Sequence, residues 1–498
     1  MIPLRLPLRI AQLSRARLPS ISTRRQTSTM ASTMATPYRM HIVPENTGLW
    51  KVPQSEASAR KASELLQQDL RDHHAFFNED GFHNHIPHHI LALYGTGADA
   101  AAMQRAYDGN ASYQRPALPL HSDVGPPEQL RDWSHAKKLL GRERYYPDLL
   151  AFFQREMDRR GPLGWRDVLA EHVFGGGAAA GTATATTDAD ERATDTLVRL
   201  FSGFVHPLIQ LMYGIEWEQP AVVAEALAQA GVHGDDIRDF LVGSEALAAK
   251  LHPDSADYRM PSIASLYEQA AADNKIASSV RNEDGNKLVQ GVLTRAKDEM
   301  IALAAKVRVR AEELEERTVE MYNQAVFVAA SAAAHPKKHV KFDFFLMHHV
   351  NVAPIFLTIN AASWIPTHAK VRLLEWKIRM DLAQYAARAV PPMSIDRIAA
   401  YKPKAAAAEK EEKPIDVVSR LHSFDDDGHA IKLARAAGIC QQVSAPYEDR
   451  DWMRLKGREN WMKVLHMIVD SVEGPGQRWV RTTGLEEAWK DIEDAPKL

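Results

Sequence analysis

Residues Val371–Arg388 read VRLLEWKIRMDLAQYAAR, a run with no glycine or proline whose apolar side chains recur at helical rather than alternating intervals. On a helical wheel of about 100° per residue, Arg372, Glu375, Arg379 and Ala386 share one face, read as the solvent side. Lys377 falls nearly opposite. It sits between an arc of Leu373, Trp376 and Met380 and another of Leu374, Ile378 and Tyr385, with Asp381 and Gln384 in its own narrow stripe. A lysine is thus aimed into a core, where an unpaired ammonium is costly. Two readings stay open: an i,i+4 ion pair with Asp381, or a neutral amine that takes up carbon dioxide to form a carbamate, an oxygen ligand suited to a hard or borderline metal.

The same periodicity recurs from Ser55 onward, and alternating patterns are scarce, so the expected fold is all-α. Helices are expected at 56–72, 87–108, 127–140, 147–159, 194–213, 220–230, 235–251, 285–334, 342–360, 367–389, 416–437 and 459–473. The chain is 498 residues long, 45% hydrophobic and 25% charged, enough for a large core. Residues 1–40 are expected to be a leader outside the fold, 41–400 a helical catalytic domain, 401–414 a linker, and 415–498 a C-terminal helical extension packed on the core. The Gly/Ala/Thr run at 175–188 and the Ala/Glu/Lys run at 405–414 read as exposed loops.

Composition excludes several functions. The net charge of −3 carries no basic stripe for nucleic acid. A single cysteine, Cys440, forbids an internal disulfide and fits a buried small residue. No apolar run reaches the length of a membrane span. Neither Gly95-Thr-Gly97 nor Gly175-Gly-Gly177 has the dinucleotide-binding spacing, and phosphate-loop and serine-hydrolase motifs are absent. The leader carries Arg5, Arg9, Arg15, Arg17, Arg24 and Arg25 before the first acidic residue, Glu45. This resembles a mitochondrial presequence; the alternatives are a disordered leader, or translation that starts at Met30, Met34 or Met40. The expected location is intracellular, mitochondrial or cytoplasmic according to which holds.

Histidine is the distinctive residue. Phe82–Leu91, FHNHIPHHIL, holds His83, His85, His88 and His89 around a proline suited to a first helical turn. The spacing lets His85 converge with His88 or His89 on one ion, and a helix N-terminus favours the neutral, ligating imidazole; a solvated turn is the alternative. His206 precedes Pro207, which should push it out of the helical region to cap the next helix. His348 and His349 lie in a strongly apolar helix, so one should face inward.

The strings FHNHIPHHILALYGTGA and AYDGNASYQRP (82–98 and 106–116), GFVHPLIQLMYGIE (203–216), DFFLMHHV (343–350) and LLEWKIRMDLAQYAAR (373–388) resemble the questin oxidase-like family of fungal secondary metabolism, from about Thr47 to Glu473. The resemblance implies O2-dependent ring opening of anthraquinones without a flavin motif. It further implies an Fe(II) site of four histidines and a carboxylated lysine. Carried onto this chain, the metal ligands are two of His85, His88 and His89, then His206, His348 and a carboxylated Lys377. Trp364, Trp376, Tyr213 and Phe345 are candidates to hold the flat substrate. Two alternatives stand beside this reading. One is a flavin-free Baeyer–Villiger oxidase drawing on NADPH as external reductant, and the other is a helical binding or scaffold protein with structural histidines. No catalytic residue beyond the metal ligands is expected.

Overall fold

Glu56–Asp72 (α1) begins where Ser55 accepts a hydrogen bond from the Ser58 amide, so an orphan donor of the first turn is satisfied by the side chain before it. The same economy of caps and breaks shapes the rest of the chain in the computed structural model, which describes residues 35–124, 130, 133–175, 188–253, 258–404 and 412–495. Most of the expected leader, nearly all of the Gly/Ala/Thr run, much of the Ala/Glu/Lys run and part of the expected helix at 127–140 lie outside the described residues. The fold is all-α: among the described residues the only β pairing is a handful of isolated bridges. No helix among them is long and apolar enough to cross a membrane.

The helices that build the site are Ile86–Tyr94 (α2), Ala100–Ala111 (α3), His206–Glu216 (α4), Pro220–Val232 (α5), Leu314–Ala333 (α6), Leu346–Val352 (α7), Thr367–Ala387 (α8), His429–Ser444 (α9) and Arg458–Glu473 (α10). One continuous apolar core runs through them, from Met40 to Val472. Within it α2 packs on α4, α4 on α7, α7 on α9 and α9 back on α2. These four helices close a ring. Beyond the linker region, α9 therefore contributes an inner wall rather than an outer layer.

Several long expected helices are divided. The segment at 87–108 breaks at Gly95–Ala98, with Gly97 at φ +91° and Asp99 capping α3 through the Ala102 amide. A Cβ at Gly95 would lie 2.8 Å from Arg435 Nε, so that turn must pass close to α9. The segment at 194–213 breaks at Gly203, Phe204 and Val205, all with positive φ. His206 itself is helical, at φ −60° and ψ −43°, which corrects the expectation that Pro207 would drive it out of that region. The left-handed turn before it absorbs the change of direction instead. The segment at 416–437 breaks at an acidic turn ending in Gly428, φ +87°, where a Cβ would meet the His89 ring at 2.6 Å.

The wheel reading of α8 holds for Lys377, which is fully buried, and fails for the opposite face. Arg379, Glu375 and Ala386 are buried too, and only Arg372 reaches the surface. The residues before α6 lie across that face and need polar partners. Arg379 donates to Val307 O at 2.8 Å and to Glu375 Oε2 at 3.1 Å, and Glu375 Oε1 accepts from the Val309 amide at 2.7 Å.

Candidate metal centre

Four imidazoles meet where the helix ring closes, one from each helix. His85 is the residue before α2, His206 and His429 are the first residues of α4 and α9, and His348 lies in the first turn of α7. Ring centroids are 5.1 Å apart for His85 and His206, 4.8 Å for His206 and His348, 5.0 Å for His348 and His429, and 4.6 Å for His429 and His85. His85, His206 and His429 offer ligand atoms within 4.8 Å of one another.

The orientation of each ring is set from behind. Nδ1 of His206 donates to Gly203 O at 2.6 Å, and Nδ1 of His348 to Phe344 O at 2.6 Å. His85 and His429 donate from Nδ1 to the two oxygens of one carboxylate, Asp427, at 3.0 and 2.5 Å. With every Nδ1 committed as a donor, Nε2 is the ring nitrogen left to accept or to ligate. Nε2 of His85 and His206 lie 3.0 Å apart, and Nε2 of His348 and of His429 meet no partner among the described residues. All four rings are buried.

Electrostatics favour the neutral, ligating form of His85, His206 and His348. Burial, then the charges of Lys432 and His429, push His85 down to about 3. Burial and neighbouring imidazoles hold His206 and His348 well below the usual range. Three of the rings stand at helix N-termini, whose dipole also disfavours imidazolium. Burial alone would raise the Asp427 carboxyl, but His429 and His85 hold it well below its ordinary value, so it remains an anion bridging two rings.

The other expected ligands stand beside this group in different settings. His88 is stacked on Tyr213, its centroid 5.9 Å from that of His85, with neither nitrogen partnered among the described residues. His89 faces away, accepting at Nδ1 from Asn110 at 3.3 Å. Lys377 donates to both oxygens of Asp381 at 2.5 Å, and His349 Nδ1 donates to the same carboxylate at 2.6 Å. This buried trio ties α7 to α8 and turns the adjacent His348 toward the ring. Lys377 is therefore paired rather than free, and its contacts do not include the four imidazoles.

Two residues escaped the sequence reading. His429 was hidden inside an assumed helix; Asp426-Asp427-Gly428-His429, an acidic turn before a glycine, is the signal that a new helix starts there. Lys432 follows one turn later on the same helix. It is 1% exposed, and no carboxylate lies within ion-pair distance among the described residues. Burial brings its amine down to about 8 against the opposing pull of Asp427 and Asp426.

Of the aromatics expected to hold a flat substrate, Trp376 and Tyr213 are core, and Trp364 packs on Trp165 and Phe174. Phe345 stands near the centre, 5.5 Å from Phe344, which touches both His348 and His429 at 5.0 Å.

Comparison with known proteins bears on this arrangement directly. The family model for questin oxidase-like proteins matches residues 82–437, a span that includes all four rings. The chain belongs to the questin oxidase-like family. It is 34% identical to an oxidoreductase, AflY, of Aspergillus parasiticus over 93% of this chain and 95% of that one. It is 32% identical to a Baeyer–Villiger oxidase, ptaJ, of Pestalotiopsis fici over 93% and 99%. A questin oxidase of Aspergillus fumigatus is 32% identical over 88% and 94%. Membership in this family makes the chain an oxidoreductase.

Proposed function

We propose that this protein is a non-haem iron oxygenase that uses O2 to cleave a ring carbon–carbon bond of an anthraquinone-type polyketide. The observation that carries the proposal is a group of buried imidazoles, His85, His206 and His429 with ligand atoms within 4.8 Å of one another and His348 packed beside them, whose Nδ1 atoms are all anchored. Hydrogen bonding alone leaves that grouping unexplained, whereas a borderline divalent metal takes such neutral nitrogen donors. His85, His206, His348 and His429 would hold the ion. Ferrous iron there would supply the electron that triplet oxygen needs before it reacts with a closed-shell phenolic ring.

The remaining oxygen ligand is assigned to Lys432 rather than to Lys377. Lys377 has Asp381 within 2.5 Å, so its ammonium is matched. Lys432 is buried beside the cluster with no such partner, and its charge is felt by His85, His88, His89 and His348. As a carbamate it would turn an unfavourable cation into an anion next to a cation site.

The protein's own groups perform definite tasks in this scheme. Asp427 fixes the tautomer and direction of two rings and strengthens them as donors. Phe344 and Phe345 shield the centre and present flat surfaces for a polycycle. The buried surroundings exclude water from the reacting ring.

A second reading has support of its own, because relatives carry the name Baeyer–Villiger oxidase: insertion of one oxygen atom with NADPH as external reductant. Anaerobically purified protein, loaded with Fe(II) and given 18O2 and one equivalent of the substrate as its two-electron-reduced anthrahydroquinone, which supplies both electrons of ring opening, separates the two. Ring-opened product without NADPH, carrying both labelled atoms, is expected. A strict NADPH requirement with one labelled atom selects the second reading. Absence of iron binding together with absence of turnover selects a binding or scaffold role.

A further inference from the structure

Arg388 closes α8 with its side chain 2% exposed, yet Nε and Nη1 meet no hydrogen-bond partner among the described residues. A buried guanidinium carries five donors that normally find acceptors. Here it lies over the face of Phe345, 4.1 Å from the ring centroid. The anion that acts on it, Asp343, is already committed. One Asp343 oxygen accepts from the amides of Phe345 and Leu346 at 2.9 and 3.2 Å, and the other from the amides of Thr482 and Thr483 at 2.9 and 3.0 Å. The second charge nearby, Lys287, is also a cation and interacts unfavourably with Arg388. The locality thus holds positive charge and free donors beyond what its own acceptors satisfy.

The guanidinium also lies over the middle ring of an aromatic row that runs to the imidazoles. Phe204 is 38% exposed and packs on Phe345 at 4.6 Å; Phe345 packs on Phe344, and Phe344 on His348 and His429. Phe204 is held in a left-handed conformation, φ 55°, in the turn that also places His206. A side chain kept in that region is strained and persists where the surroundings require it. The row is open to solvent at Phe204 and closed by imidazoles at the other end.

We propose that Arg388 binds an acidic oxygen, a carboxylate or ionised phenol, on a flat aromatic substrate that lies along Phe204, Phe345 and Phe344. The anion would accept from the free Nε–H or the free Nη1–H, each paired with the neighbouring Nη2–H in the bidentate fashion that a guanidinium favours. The ring plane would take the faces that the phenylalanines leave open, and the far edge would reach the four imidazoles. This extends the oxygenase reading by naming what orients its substrate, and it rests on that reading for the identity of the far end.

Binding tests it without metal or oxygen. The full chain, stripped of metal, is titrated by tryptophan fluorescence with an anthraquinone carboxylate, a phenolic anthraquinone above its pKa, and the uncharged parent anthraquinone. The native protein is expected to bind at least one of the two anions about tenfold more tightly than the parent. Which anion it prefers identifies the acidic group. Arg388→Gln is expected to abolish that preference while binding the parent as before. Phe345→Leu is expected to weaken all three ligands together, and Arg481→Gln, an exposed residue over Phe344, to keep the preference within about twofold. Equal binding of anions and parent by the native protein overturns the proposal, whatever the variants do. A folded Arg388→Gln protein, judged by circular dichroism and melting, that retains the preference also overturns it. Loss of iron-dependent turnover with this binding pattern intact contradicts the oxygenase reading and leaves the substrate site standing.

Discussion

His348 and His349 are neighbours on one helix and do different work. His348 packs beside His206 and His429 with its Nε2 unpartnered among the described residues, whereas His349 spends Nδ1 on Asp381 and helps match Lys377. His348→Gln is therefore expected to drop iron to below about a tenth per chain by elemental analysis, because a site that loses one of four nitrogens loses most of its affinity. His349→Gln should keep the metal and lower the melting temperature. The two lysines divide in the same way. Lys377→Met leaves the Asp381 charge buried with only His349 to match it and should cost about 3–5 kcal/mol in denaturant unfolding, with iron retained. Lys432→Ala should fold, lose iron or turnover, and regain part of it with added acetate. Equal iron loss in both lysine variants would contradict the assignment. The inward direction of Lys377 was legible from its wheel position. That Asp381 sits within 2.5 Å of it was legible only as one of two options, since a wheel reports burial and says nothing of which partner is engaged.

Helix existence was readable from periodicity because an apolar stripe repeats wherever a helix packs, and α1 matches its expected bounds. Helix ends were not, at the turns that matter most. Gly203–Val205 and Asp425–Gly428 are short, lie inside otherwise continuous apolar patterns, and take positive φ through local contacts that periodicity does not encode. The second of these turns concealed His429, so one ring of the centre was missed while His88 and His89, close in sequence to His85, were favoured in its place. Sequence proximity suggested one helix supplying two ligands, whereas packing brings together one imidazole from the start of each of four helices. Two substitutions test the elements. Asp427→Asn removes the carboxylate that aligns His85 and His429 and should weaken iron binding by about 10–100-fold by competition with a chelator. Gly428→Ala forces a Cβ against the His89 ring at a positive φ and should cost at least about 1–2 kcal/mol, read from urea unfolding.

The molecule as a whole is a large helical core with a polar centre, and that combination sets its response to acid. Burial carries His85 down to about 3 and His89, His172 and His233 down to about 4. Each is neutral in the folded state and takes a proton near pH 6.5 once unfolded. Their contribution is fully present above about pH 6.5 and is lost as pH falls toward 4, because the unfolded chain binds the protons first. At pH 5 each such histidine withdraws about 2 kcal/mol, so the melting temperature of metal-free protein should fall steadily from pH 7.5 to 5. A melting temperature that is flat or rises over that interval would contradict the burial of these rings. Iron binding to the folded chain should persist through that interval and weaken only as pH nears about 3, where His85 takes a proton. The family and the all-α class were legible across most of the chain. The shape of the centre was not, because it exists only where four distant segments meet.

The account turns on the position of the metal. A crystal of the iron-loaded protein, measured on both sides of the iron absorption edge, should give one anomalous peak enclosed by Nε2 of His85, His206, His348 and His429, with extra density on Lys432 and none on Lys377. No peak there, or a peak beside His88, His89 or the Lys377–Asp381–His349 trio, would contradict it.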